Sequence, residues 1–175
     1  MAHLKCRVRI IANSENNFMD KIIFTGPMGA GKTTAISAIS EIPPISTDVR
    51  CSDEALKRKE TTTVAMDYGY ITLEDNTRIH LYGTPGQQRF DYMWTILTKG
   101  GIGLVLLIDN AAPNPLADLE FYLESFNDFV QQTAAVIGVT RMDIAKRHSL
   151  DDYSQRLLER GQILPVFEVD VRNAN

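Results

Sequence analysis

Cysteine is scarce. Cys6 and Cys51 stand far apart, with no further Cys or His at ligand spacing. A disulfide framework and a thiolate metal site are therefore not expected, and free thiols of a reducing compartment are the simplest reading. Long apolar runs are missing too. None approaches the roughly 20 residues that a membrane-spanning helix needs. Basic charge is not in excess: 18 Lys and Arg face 22 Asp and Glu, for a formal net charge of −4. Binding to a nucleic-acid backbone is therefore not expected. The ends read Met1-Ala2-His3 and Asn173-Ala174-Asn175 and carry no leader or lipidation pattern. No internal repeat or low-complexity tract interrupts the chain. A cytoplasmic protein without an integral membrane segment is the expectation.

Its 175 residues, 44% of them hydrophobic, suffice for one domain with a sizeable core. Residues 19–175 are expected to form it. Residues 1–18 read as an N-terminal extension. Leu4, Cys6, Val8 and Ile10 alternate with Lys5, Arg7 and Arg9 before a polar stretch at 13–17. That pattern suits an extra edge strand, but a poorly ordered tail is preferred here.

The densest signal is Gly26-Pro27-Met28-Gly29-Ala30-Gly31-Lys32-Thr33-Thr34. It fits the phosphate-binding pattern G-x-x-x-x-G-K-[ST] without a gap. Ile22-Ile23-Phe24 before it reads as a buried strand. The apolar residues after it recur at helical spacing. Strand, glycine loop and helix together make an anion cradle: backbone N–H groups curl round the phosphates, and the helix N-terminus adds its dipole. Lys32 is placed to reach the outer phosphates, and the Thr33 hydroxyl to ligate Mg²⁺. The plainer alternative is a chance glycine turn.

Further along, the paired prolines at 43–44 should end the first helix. Residues 45–62, with Lys57-Arg58-Lys59 among them, read as a long polar connection. Two strands follow, 61–73 and 77–82, joined by the turn signal Glu74-Asp75-Asn76 as an antiparallel hairpin. A glycine-rich loop, Gly83-Thr84-Pro85-Gly86-Gln87-Gln88, comes next. An amphipathic helix is expected over 90–97, with Tyr92 and Trp94 in its core. Residues 103–108, almost wholly apolar and ending at Asp109, have the character of a central parallel strand. Helix is expected over 116–132 and 149–160, strand over 134–139 and 163–169. The alternation implies an α/β fold: a three-layer, doubly wound mixed sheet with one antiparallel strand. Its ligand should lie beyond the C-terminal strand ends, where residues 26–34, 83–88, 140–143 and 170–172 all fall.

Those motifs, in that order, resemble the small Ras-like P-loop GTPases, and more narrowly the bacterial MglA-like and conservon-type GTP-binding proteins. The likeness covers about residues 20–172. It implies that Thr63 is a second Mg²⁺ ligand, that the Gly86 N–H meets the γ-phosphate, and that Gln87 orients the attacking water. It also implies that Thr140-Arg141-Met142-Asp143 reads guanine, with Asp143 accepting from the base, and that Asp170 and Arg172 belong to the last base-contacting loop. GTP and GDP would be the ligands and an activating or exchange protein the partner, for which the resemblance suggests the roadblock type. Three departures stand out. Gly83 occupies the place of an aspartate that holds the Mg²⁺ shell. Thr140-Arg141 replaces Asn-Lys. The closing helix that follows the last base loop in the family is absent, so apolar surface such as Val166 or Val169 should be open or covered by another copy of the chain, which should self-associate or be marginally stable.

Plainer readings stand beside these. Thr63 suits a β-branched strand position, Gln87 an exposed loop, Asp143 a helix cap, and Arg89 a solvated or partner-contacting surface. Two other functions compete with a slow GTP-hydrolysing switch. One is a metabolic ATPase or kinase that uses Asp109 as a Walker B-type metal residue. The other is a nucleotide-independent scaffold, against which the intact Lys32-Thr33 pair argues.

Overall fold

The computed structural model describes residues 20–50, 63–87 and 91–172. The N-terminal extension, the basic run at 57–59 and Arg89 lie outside the described residues.

Among the described residues seven strands form one sheet: β1 (Lys21–Thr25), β2 (Ile45–Arg50), β3 (Thr63–Thr72), β4 (Arg78–Gly83), β5 (Gly101–Asp109), β6 (Ala134–Thr140) and β7 (Val166–Glu168). Their order is β2-β3-β4-β1-β5-β6-β7. β1 lies parallel between β4 and β5, and β6 and β7 continue the parallel side. β3 is antiparallel to both of its neighbours, so among the described strands it alone runs against the sheet, as expected. The apolar run of β5 makes it central: Leu106 and Ile108 are fully buried on one face while Leu107 is buried on the other.

Among the described residues five helices cover the two faces. α1 (Lys32–Ile39) lies on one, where Ile36 joins Phe24, Ile79, Leu81 and Leu107. The other carries α2 (Asp91–Thr98), α3 (Pro115–Ser125), α4 (Asn127–Gln132) and α5 (Leu150–Glu159). Trp94, Leu119, Tyr122, Phe126 and Tyr153 from these helices pack on Ile23, Leu106 and Ile137. Trp94 is therefore core, as its type suggests; nothing is described of the Tyr92 side chain. α5 begins with a capping box in which Ser149 and Asp152 bond each other's backbone N–H groups.

Four expectations need correction. Residues 45–50 are not loop but β2, paired antiparallel to β3; Ile45, Thr47 and Val49 alternate at strand period there. The helix expected over 116–132 breaks at Phe126 (φ −108°, ψ 14°), whose ring stacks on Trp94 with centroids 5.1 Å apart. The last strand shrinks to three residues because Pro165, with no N–H to donate, precedes it. Val166 and Val169 are half-buried rather than open. Among the described residues no helix is long and apolar enough to cross a membrane.

Candidate functional site: a phosphate-loop cavity

The C-terminal ends of β1, β4, β5, β6 and β7 share one edge of the sheet, and a cavity of about 770 Å³ opens there. Its lining comes from residues 28–34, 84–86, 140–144 and 168–172, together with Asp67.

The phosphate end is built by the loop between β1 and α1. Gly26 has φ 135°, and a Cβ on it would lie 2.1 Å from the Leu107 carbonyl oxygen. Only glycine lets the loop leave β1 so close to β5. α1 has no side-chain cap and no acidic residue in its first turn, so its free N–H groups face the cavity without competition. Lys32 is 8% exposed and its Nζ donates to the Gly26 and Pro27 carbonyls at 2.7 and 2.8 Å. Burial pushes its pKa down to about 8, while the Asp67 carboxylate pulls the other way. The result is a partly desolvated ammonium beside an uncapped helix end, which suits an anion.

Asp67 is the residue that sequence reasoning missed. It sits on β3 directly across from Gly83 on β4, and its Oδ2 accepts from the Thr33 hydroxyl at 2.6 Å. Counting outward from the 74–76 turn would have found it, because the hairpin register that pairs Thr72 with Arg78 also pairs Asp67 with Gly83. A hydroxyl and one carboxylate at the phosphate end are hard oxygen donors. No group of three or more His, Cys, Asp or Glu that could hold a metal occurs among the described residues. That sparse set fits Mg²⁺, which keeps most of its shell as water and phosphate oxygens, better than a cation that needs an all-protein cage. Thr63 opens β3 four residues before Asp67, about 13 Å away by the rise of an extended strand. Nothing is described of its side chain.

The glycine-rich loop after β4 lies on the phosphate loop. Thr84 anchors it: its N–H bonds the Phe24 carbonyl at 2.8 Å, and its hydroxyl meets the Thr25 hydroxyl at 2.8 Å. The Trp94 indole N–H donates to the Pro85 carbonyl at 3.2 Å and the Tyr122 hydroxyl to the Gly86 carbonyl at 3.1 Å. Gly86 is so close to the phosphate loop that a Cβ on it would stand 2.6 Å from the Met28 nitrogen and 2.8 Å from the Lys32 Nζ. Gln87 is exposed and does not line the cavity; its amide meets the Met28 sulfur at 4.0 Å, a weak contact.

At the other end, β6 delivers residues 140–143. The buried Thr140 hydroxyl lies 3.3 Å from both the Ala30 and Ile108 carbonyls, which ties β6 to β5 and to the phosphate loop. Arg141, in the left-handed region at φ 58°, sets its guanidinium on the Asp109 carboxylate. Asp109 also accepts from the Ala111 N–H and does not line the cavity, a poor placement for a metal residue. Asp143 is exposed and caps no helix, since Ser149 starts α5. Arg172 lies 3.6 Å from Asp143 and bonds the Asp170 carboxylate through its N–H, Nε and Nη2. Those bonds hold the Asp170 carboxyl down to about 2.

A second residue escaped the sequence reading. Asn110 is fully buried: its N–H bonds the Thr140 carbonyl, and its amide donates to the Ala145 and His148 carbonyls at 2.6 and 3.2 Å. Its Oδ1 accepts from the Tyr153 hydroxyl at 2.7 Å. Asn110 thus clamps the loop that carries Asp143 onto β5 and α5.

A family model described as "conserved hypothetical ATP binding protein" matches residues 24–164. An uncharacterized protein of Methanocaldococcus jannaschii is 31% identical over 90 residues, 51% of this chain and 50% of that protein. Ras-related protein Rab-8B of Bos taurus is 21% identical over 153 residues, 86% of this chain and 66% of that protein. Ras-related protein Rab-8A of Pongo abelii is 24% identical over 151 residues, 85% and 65% of the two chains. The chain thus spans between half and two thirds of the length of these curated relatives.

Proposed function

The chain belongs to the family of conserved hypothetical ATP-binding proteins and is a P-loop nucleotide-binding protein of Ras-like fold; on that premise we propose that it binds GTP, hydrolyses it slowly, and acts as a nucleotide-dependent switch. The observation that carries the choice of guanine is Asp143, an exposed carboxylate at the cavity end opposite Lys32. A carboxylate accepts two hydrogen bonds side by side, and the guanine edge offers two adjacent donors. Adenine offers a donor beside an acceptor, and the acceptor lone pair would face the carboxylate. Arg172 would then leave Asp143 for Asp170, to which it already makes three hydrogen bonds.

In this reading Lys32 and the N-terminus of α1 hold the phosphates. Thr33 holds Mg²⁺, whose charge offsets theirs. Thr63, the second ligand that the resemblance implies, opens β3 opposite Arg50, four residues from Asp67. Gly86 faces the γ-phosphate, and Gln87 places the water. Gln87 is exposed and weakly held, so turnover without a partner should be slow. An activating protein would act by ordering that loop. The narrower kinship with MglA-like and conservon-type proteins rests on the Gly83-to-Gln87 motif, and a roadblock-type partner rests on that kinship alone.

Adenine in the same cavity is the second reading. The Asp143–Arg172 ion pair favours it, because a guanidinium kept on Asp143 would occupy the acceptor that guanine needs. Competition titrations separate the two. GTP should bind at least about tenfold tighter than ATP, about 1.4 kcal/mol or more, and Asp143→Asn should erode the difference. Tighter ATP binding by the unaltered protein would overturn the guanine reading and leave the phosphate site standing.

A further inference from the structure

Gly83 and Asp67 face each other across the β3–β4 ladder on the side of the sheet that α1 covers. A side chain at Gly83 would crowd the Asp67 carboxylate. A Cβ on Gly83 would stand 3.0 Å from both the Cβ and the Oδ2 of Asp67, and 3.1 Å from the Ile36 Cδ1. That pocket is filled from β3. The same Oδ2 already accepts from the Thr33 hydroxyl, in the first turn of α1. Asp143, Glu168 and Asp170 also line the cavity, but they come from its far end. At the phosphate end Asp67 is the one acidic residue among the described lining residues. A hard cation ligated by the Thr33 hydroxyl and by phosphate oxygens keeps several waters, and those waters need an anionic acceptor nearby.

We propose that Asp67, reaching across from the neighbouring strand, is the carboxylate that holds the water shell of the nucleotide-bound Mg²⁺, and that Gly83 is glycine because Asp67 fills its space. This rests on the nucleotide-binding reading above and is independent of which base is bound. Asp67 is a positioning residue: it acts through Thr33 and water, not on the reacting phosphorus. The carboxylate is therefore portable. Moved one strand over, it should serve the same cation.

The test measures equilibrium binding and dissociation of methylanthraniloyl-GDP, with the ADP analogue beside it, as Mg²⁺ is titrated and then removed with EDTA. In the unaltered protein Mg²⁺ should tighten binding and slow release. Asp67→Asn, nearly isosteric and still able to accept from Thr33, should lower the apparent Mg²⁺ affinity by about 10–100-fold. Its binding in EDTA should not fall below that of the unaltered protein, because the change removes a negative charge from the phosphate end of the cavity; a loss in EDTA as large as the loss with Mg²⁺ would overturn the assignment. Gly83→Asp alone should weaken Mg²⁺-dependent binding, because two carboxylates crowd one space. The exchange of both, Asp67→Gly with Gly83→Asp, should restore much of the Mg²⁺ dependence. Thermal melting of each variant separates lost folding from lost metal binding. An Asp67→Asn protein with the unaltered Mg²⁺ dependence would overturn the assignment. So would an unaltered protein whose binding ignores Mg²⁺. Failure of the unaltered protein to bind either analogue would instead sink the nucleotide site itself, and this inference with it.

Discussion

The Asn110–Tyr153 contact allows a sharp test of how the base end of the cavity is held. Both residues are fully buried, and their side chains share one hydrogen bond of 2.7 Å between α5 and the end of β5. Asn110→Ala leaves the Tyr153 hydroxyl in the core without its acceptor. An orphaned buried polar group of this kind costs about 1–3 kcal/mol. The Ala145 and His148 carbonyls, which also lose their donor, belong to half-buried residues where water can replace it. Tyr153→Phe makes the reciprocal orphan, the Asn110 Oδ1, at a similar cost. The double variant removes both partners, and no polar group of that pair is stranded. Its destabilisation should fall short of the sum of the single changes by about 0.5–3 kcal/mol. For a domain of this size 1 kcal/mol moves the melting temperature by roughly 2–4 °C, so each single change should lower it by about 2–12 °C. Urea and thermal melts of the three variants complete the cycle. Only Asn110→Ala also frees the Asp143 loop, so it should blunt discrimination between GTP and ATP more than Tyr153→Phe does. Additive single costs, or single changes that leave stability where it was, would refute the view that this bond is a closed buried pair.

Lys32 gives a pH signature. Its pKa is lowered to about 8 in the folded protein, below the ordinary 10.5, so between those values the unfolded chain binds more protons than the folded one. The stability of the unliganded protein should therefore rise with pH across that window, and Lys32→Met should abolish the rise in chemical denaturation at pH 7–10. An anion on Lys32 raises its pKa, so nucleotide affinity should be level below pH 8 and fall above it; titrations in buffers of different ionisation enthalpy should show proton uptake on binding. Gln87→Leu should leave nucleotide binding nearly unchanged and reduce partner-stimulated single-turnover hydrolysis by roughly tenfold or more; a normal stimulated rate would remove Gln87 from the mechanism.

The phosphate loop was legible because its chemistry is local. Gly26 to Thr34 run without a gap from the end of β1 into the first turn of α1, and the positive φ of Gly26 and the bond from Lys32 to the Gly26 carbonyl are set within a few residues of chain. The hairpin was legible for the same reason, since a turn signal and two alternating runs fix its register. β2 was not. An edge strand with polar residues on alternate positions looks like loop until a partner strand is known, and that partner lies beyond the segment 51–62. The break at Phe126 was hidden by an apolar pattern that satisfies either one helix or two. What decides it is the stacking of Phe126 on Trp94 from another helix.

The departures from the motif pattern read in sequence as losses, and in three dimensions each position has contacts that no linear pattern carries. Thr140 is shorter than an amide side chain, yet its hydroxyl lies 3.3 Å from carbonyls on both β5 and the phosphate loop, so the tie between those elements is made. Arg141 is held by Asp109, and that ion pair takes away the carboxylate that a Walker B-type reading would need. Gly83 has Asp67 across the ladder. Sequence separations of 16, between Asp67 and Gly83, and 32, between Asp109 and Arg141, become neighbours only once the sheet order is fixed. Substitution at one strand end, offset from another, keeps the cavity chemistry while erasing its linear signature. A search for this site in other chains should therefore look for a carboxylate on either of two paired strands rather than for one fixed position.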